Sequence, residues 1–448
     1  MGTRTVVGGT QDFVNKNTLV GAIIAVLSTI VTAECLAFFY TLYIRSKIPG
    51  VDVEGISRKF DDQSVESLKA FLRHQTDGNP FFFYDLELGW VSGPNVRYSG
   101  TNTRSEPWEY QTDARGARQD LISTNSPVVG AFGDSFTLGA EVNDDEVWSS
   151  FFEAFSGVDV ENFGVGGYCT FQSLLRMERE ARKGRFKVLV LGIYSENINR
   201  IFNTYQPFYL PGHPFGFKPY IHIKNGVSLP RSNVADLSSL ESFSEGKSGN
   251  NARILEYLHG AVRAAAVEDL HVNLTVPLQF PLVISGYNAF LFGHTGDHLQ
   301  KADYLWRSPH GKSGMRYLLS RFVSFAGSIG AFPVVMIFPD ALQSRRLIEN
   351  PAYTSGYQKF FAEIKKDDQF KALVVIDGLT RNIDQSRFHI SGPVVESHAS
   401  TFANKEMAYR LAVDLKNAGQ VNFVDEGSYK EISAELTQSS RRGKMPLR

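Results

Sequence analysis

From Pro127 onward the chain alternates short apolar runs with longer stretches of helical periodicity, and few folds accept that rhythm. Val128–Phe132, Val158–Val160, Val188–Leu191, Val334–Phe338 and Leu373–Ile376 are too short for helices and read as buried strands. Between them Trp148–Phe155, Phe171–Arg182, Tyr357–Ile364 and Lys405–Lys416 carry helical spacing. Strands alternating with helices predict an α/β fold, a three-layer sandwich with a central parallel sheet. The rhythm breaks between 201 and 312, a loop-like stretch rich in aromatics such as Tyr205, Phe208 and Tyr220. That stretch is expected as an insertion over one edge of the sheet, whose aromatic residues pack or stack on sugar rings.

A second feature lies upstream. Thr18 to Ile44 holds 27 residues with one charge, Glu34, and is followed by Arg45 and Lys47. About 20 apolar residues span a bilayer, and Tyr40 and Tyr43 stand where an interfacial aromatic belt would lie. The run is too long for the core of a cleaved signal peptide. Residues 18–44 are therefore expected to form one transmembrane helix after a flank at 1–17. Glu34 within a bilayer costs a few kcal/mol unless paired or protonated. It marks either a contact with a membrane protein partner or a single tolerated acid. Basic residues on both sides leave the orientation open. Residues 45–84 read as a linker with a short helix carrying Val65, Leu68 and Leu72, and 77–120 as loops and short strands. Residues 85–420 are expected to form the α/β domain, and 421–448 a tail with a frayed basic end.

In an open parallel sheet, sites form beyond the carboxyl ends of the strands. Gly133-Asp134-Ser135-Phe136-Thr137-Leu138-Gly139 follows the first strand directly. A serine at such a strand-to-helix turn is exposed, and the glycines permit the tight turn. Read alone, Asp134 or Ser135 there serves equally as a helix cap. A serine nucleophile needs a base, and the base needs an acid to orient it. Glu396-Ser397-His398, just before the last helix of the alternation, offers both.

These blocks together resemble the SGNH (GDSL-type) hydrolase superfamily, and the likeness covers about residues 85–415. The resemblance implies a flavodoxin-like SGNH fold with Ser135 as nucleophile, its N–H an oxyanion donor, and Gly133 and Asp134 in support. Asn162-Phe163-Gly164-Val165-Gly166-Gly167-Tyr168 is similar to the second block, with Asn162 in support and Gly167 as the second oxyanion donor. Glu396-Ser397-His398 through Asn404 resembles the last block, with His398 as base and Glu396 where the family usually has Asp. The third block, Gly192-Ile193-Tyr194-Ser195-Glu196-Asn197, fits in two registers. A gapless reading sets Glu196 on the oxyanion-binding Asn, where a carboxylate would repel the oxyanion. A one-residue shift presents Asn197, the preferred reading. Leu88-Gly89-Trp90, Gly116-Ala117-Arg118 and Lys218-Pro219-Tyr220 resemble flanking segments of bacterial members.

The resemblance implies a membrane-anchored serine esterase or O-acyltransferase acting on acyl esters, acetyl first of all, of a carbohydrate or another envelope component. The catalytic domain would then be periplasmic or extracytoplasmic. The rival is a catalytically degenerate SGNH domain serving as a membrane-anchored binding or assembly subunit, favoured by Glu196 and the charged anchor. Composition narrows the rest. With 46 basic and 47 acidic residues the net charge is −1, which argues against nucleic acid as a main partner. Cys35 and Cys169 are too few for a disulfide scaffold or a four-cysteine zinc site. His294, Asp297 and His298 are spaced like metal ligands, but Gly293 and Gly296 disfavour a helix there, so no metal is expected; the serine mechanism that the resemblance implies needs no cofactor.

Overall fold

The structure is a computed structural model that describes residues 82–119, 128–181, 186–202, 206, 218–224, 227–231, 298–393, 395–422 and 424–442, with scattered positions between Ala25 and Leu36. The chain divides into two compact units, Met1–Asp52 with Asn273–Gly296, and Val53–Val272 with Asp297–Arg448. In the first unit every described position between Ala25 and Leu36 is helical, with the Thr29 hydroxyl donating to the Ala25 carbonyl. Most of the expected transmembrane run 18–44, Glu34 included, and the helix expected around 61–76 lie outside the described residues. Among the described residues no helix is long and apolar enough to cross a membrane. All that follows concerns the second unit.

Five parallel strands form its sheet: β5 (Val129–Phe132), β6 (Val160–Asn162), β7 (Val188–Tyr194), β10 (Phe332–Phe338) and β11 (Val374–Asp377). The spatial order is β11-β10-β7-β5-β6, with β5 and β7 in register from Val129 opposite Val188. Numbered along the chain, that order is 2-1-3-4-5, and its reversal falls between β5 and β7. The expected runs are the observed strands, in places extended or shifted by a few residues. Their side chains alternate between two cores, because successive residues of a strand face opposite sides. Phe132, Leu189, Leu191, Ile193, Val335 and Ile337 enter one core, while Val129, Ala131, Val188, Val190, Val334 and Met336 enter the other. Each such fully buried aliphatic or aromatic side chain contributes roughly 1.5–3 kcal/mol.

Helices cover both faces. Between β5 and β6 come the single turn α1 (Ser135–Leu138) and α2 (Trp148–Ser156), and between β6 and β7 comes α3 (Thr170–Ala181). In α3 Phe171, Leu174, Met177 and Ala181 recur on one side and enter the first core. After β7 and a 3₁₀ segment, Ser195–Phe202, come α4 (His298–Arg307) and α5 (Pro309–Ser328), then α6 (Ala341–Glu349) and α7 (Gly356–Ile364) around β10. The last face helix, α8 (Thr401–Asn417), presents Ala403, Met407, Ala408, Leu411 and Leu415 to the second core. Its small residues let it close on Trp148, Phe152 and Phe155 of α2.

The stretch 77–120, read as loops and short strands, contains two hairpins. They are β1 (Phe83–Asp85) with β2 (Gly89–Val91), and β3 (Arg97–Thr101) with β4 (Pro107–Gln111). The break at 201–312 contains a hairpin, β8 (Tyr220–Lys224) with β9 (Val227–Arg231), as well as α4 and the start of α5. The C-terminal segment is not simply a tail. Residues Glu426–Arg442 form α9, and Tyr429 stacks on Tyr409 at 3.8 Å and packs edge-on against Phe155 at 6.0 Å.

Candidate active site

Ser135 opens α1 directly beyond the carboxyl end of β5, beside the reversal of strand order. From Ala131 through Gly139 it alone is not buried. The turn needs its glycines. A Cβ on Gly133 or on Gly192 would each sit 1.9 Å from the Thr137 hydroxyl. Gly139 closes α1 with φ +73, a left-handed conformation open to glycine at little cost.

Asp134 is buried and does the capping. One carboxylate oxygen accepts from the backbone N–H of Phe136 at 2.8 Å and of Thr137 at 3.3 Å. The other accepts from the N–H of Tyr194 at 2.9 Å and from the Asn197 side-chain amide. Burial pushes the Asp134 carboxyl above its usual range, opposed by the Tyr194 N–H and the charge of Arg200. The helix-capping reading of this aspartate therefore holds, and the same carboxylate draws Asn197 to the serine turn.

Glu196 turns elsewhere. Its carboxylate pairs with Arg200 at 2.8 Å and accepts from the Asn199 amide at 3.2 Å. A 3₁₀ segment rotates successive residues by a third of a turn, so neighbours here face different groups. Trp306 fixes the segment by donating its indole N–H to the Ser195 carbonyl at 2.7 Å. One measurable consequence follows. If Asn197 is an oxyanion donor, Asn197→Ala should lower turnover about 10²–10³-fold. Glu196→Ala should act mainly on stability, by removing the carboxylate that pairs with buried Arg200. Loss of turnover in Glu196→Ala alone, at equal stability, would reverse the register.

The second-block loop is tied to the same turn. Phe163 N–H donates to Ala131 O at 2.8 Å and Val165 N–H to Gly133 O at 3.1 Å. Asn162 braces it, donating to Thr137 O at 2.8 Å and accepting from Gly164 N–H at 3.0 Å. Gly164 cannot carry a side chain, since a Cβ would lie 2.2 Å from the Leu138 nitrogen. Gly167 has φ +77. The hairpin β1–β2 holds this end: the Trp90 indole donates to Gly166 O at 2.9 Å, and Tyr168 donates back to the Trp90 carbonyl. Cys169 is buried in the core, as a packing residue would be.

His398 lies just before α8. Its ring packs on that of Phe136, the residue after Ser135, with centroids 5.2 Å apart. The acid expected to orient it is Glu396. Glu396 accepts from the hydroxyl of Tyr194, whose phenol is held well above its ordinary value by burial and by the Glu396 charge. The carboxylate at the imidazole is that of Glu141, with Oε2 3.1 Å from His398 Nδ1. Glu141 carried no signal in the sequence, because it stands alone in a loop with neither a motif nor a helical partner.

Arg118 is a second residue whose part spacing does not reveal. Fully buried, it donates to the carbonyls of Leu138 at 2.9 Å, Gly139 at 2.5 Å and Val142 at 2.8 Å, and pairs with Asp144 at 3.0 Å. It thus clamps the loop that carries Glu141. His389 is the other histidine nearby, with Nδ1 3.0 Å from Ser397 O and Nε2 3.3 Å from Ser344 Oγ. Burial pushes it down to about 4. The unfolded chain binds its proton near pH 6.5, so stability present above that pH is lost as pH falls toward 4, up to about 3 kcal/mol. Denaturant midpoints at neutral and acid pH should therefore differ less in His389→Gln than in the parent. Equal acid losses in both would refute this.

Among the described residues no group of three or more His, Cys, Asp or Glu could hold a metal; His294 and Asp297 lie outside them. Fold and site together define a parallel α/β protein with an accessible serine at the strand-order reversal and a carboxylate-paired histidine beside its turn. No protein-family model matches the chain, and a search of curated proteins finds no relative.

Proposed function

We propose that the chain is a serine esterase or O-acyltransferase of the SGNH type, anchored through residues 18–44. One observation carries the reading. The only accessible residue of the 131–139 turn is a serine, with His398 packed on its neighbour Phe136 and Asn197 tied to the preceding Asp134. The strand order 2-1-3-4-5 is that of the flavodoxin-like fold, in agreement with the resemblance of the four blocks.

In this mechanism Ser135 Oγ attacks the acyl carbonyl and its proton passes to His398 Nε2. The tetrahedral oxyanion is held by the N–H of Ser135, the N–H of Gly167 and the Asn197 amide. Asp134 leaves the Ser135 N–H free of capping, since it accepts from the two residues beyond. His398 then returns the proton to the leaving alkoxide, and water or a second hydroxyl resolves the acyl-enzyme through the same base. No cofactor enters. The substrate class is an acyl ester, acetyl first of all, on a carbohydrate or another envelope component, and the domain is extracytoplasmic. The ion pair of Glu196 with Arg200 weighs against a degenerate binding subunit, because it removes the carboxylate that would oppose an oxyanion.

The test is covalent labelling of the full chain in membranes by a fluorophosphonate probe. Wild type should label and Ser135→Ala should not. Equal labelling, or none in either, removes the nucleophile assignment. Protease protection of a tag near residue 100 tests the location, and a cytoplasmic domain would discard the envelope substrate.

A further inference from the structure

We propose that Glu141, not Glu396, is the carboxylate that positions His398, an inference that rests on the serine-hydrolase reading. Glu141 Oε2 lies 3.1 Å from Nδ1, the ring nitrogen a triad acid must address so that Nε2 stays free to take the serine proton. Both atoms are shielded from solvent, and neither has an aligned hydrogen bond among the described residues. Each therefore stands at ion-pair distance from the other with no other hydrogen-bond partner among the described residues, and catalytic hydrogen bonds that are poorly aligned in a free site commonly tighten when substrate binds. Glu396 is already engaged by the Tyr194 hydroxyl.

The backbone supports the same assignment. Glu141 has φ +66, one of three non-glycine residues with positive φ among those described. A left-handed residue of this kind costs about 1–2 kcal/mol and persists where its surroundings over-determine it. Here the surroundings are Arg118, which binds the carbonyls on both sides of Glu141, those of Leu138, Gly139 and Val142. The loop between α1 and α2 thus holds a strained residue whose carboxylate meets the imidazole. The chemistry balances without moving a proton to Glu141. The Ser135 proton goes to Nε2, the Nδ1–H stays on the ring, and the ionised Glu141 stabilises the imidazolium.

The experiment compares fluorophosphonate labelling rates of full-length wild type, Glu141→Gln, Glu141→Asp and Glu396→Gln across pH. Glu141→Gln should label about 10²- to 10⁴-fold more slowly, with the midpoint of its pH–rate profile moved to lower pH. Glu141→Asp should recover part of the rate, because charge is restored at shorter reach. Glu396→Gln should lose less than Glu141→Gln. Thermal unfolding should be nearly the same for Glu141→Gln and wild type, since the swap is isosteric and partly exposed. Wild-type rate and profile in Glu141→Gln, or a larger loss in Glu396→Gln, overturns the inference while the serine reading stands. A wild type that does not label overturns the serine reading, and this inference with it.

Discussion

Ser135→Ala is expected to lower turnover of a small acetyl ester by about 10⁵–10⁶-fold while leaving the fold intact. The size follows from what the hydroxyl alone supplies. In the proposed mechanism alanine keeps the backbone N–H at 135, Gly167 and Asn197, so oxyanion stabilisation would survive, but no covalent intermediate could form. Stability should hardly change, because the side chain is the one accessible position of its turn and Asp134 provides the cap. Steady-state hydrolysis with matched thermal unfolding curves measures both. Retention of more than a few per cent of activity would mean that another group attacks the ester.

Arg118→Ala is expected to destabilise the domain by about 3–5 kcal/mol and to lower activity in the fraction that still folds. The guanidinium is fully buried, serves three carbonyls and Asp144, and lies 4.6 Å over the Tyr110 ring. Deletion orphans three buried acceptors and half-strands a carboxylate. Lysine should not rescue, since one ammonium cannot reproduce the planar fork that reaches all of them. Denaturant titration gives the stability. A loss below 1 kcal/mol would show that water replaces the clamp without penalty.

The parallel sheet was legible because short continuous apolar runs, too short for helices, fit strands covered on both faces, as Val188–Tyr194 illustrates by being buried at every position. Helices α2, α3, α7 and α8 were legible through apolar spacing. The segment Glu426–Arg442 was not, because its polar composition gives little signal until Tyr429 finds Tyr409 and Phe155. Of the candidate site, Ser135, Asp134, Asn162, Gly167 and His398 were proposed from local motifs. For Glu196 and Asn197 the sequence offered two registers with Asn197 preferred, and their contacts, Asn197 with Asp134 and Glu196 with Arg200, depend on the rotation of a 3₁₀ segment that Trp306 pins from a distant helix.

The sequence by itself determined the layered α/β architecture and the position of the serine turn, since both arise from short-range periodicity and from glycines that no other residue can replace. Only the tertiary structure decided which carboxylate meets His398. Glu396 is two residues away in the chain yet is drawn to Tyr194, while Glu141 is brought from another loop by a buried arginine. Proximity in sequence fixes what a side chain can reach. Desolvation decides what it pairs with, because a shielded charge must satisfy whichever partner the fold encloses with it.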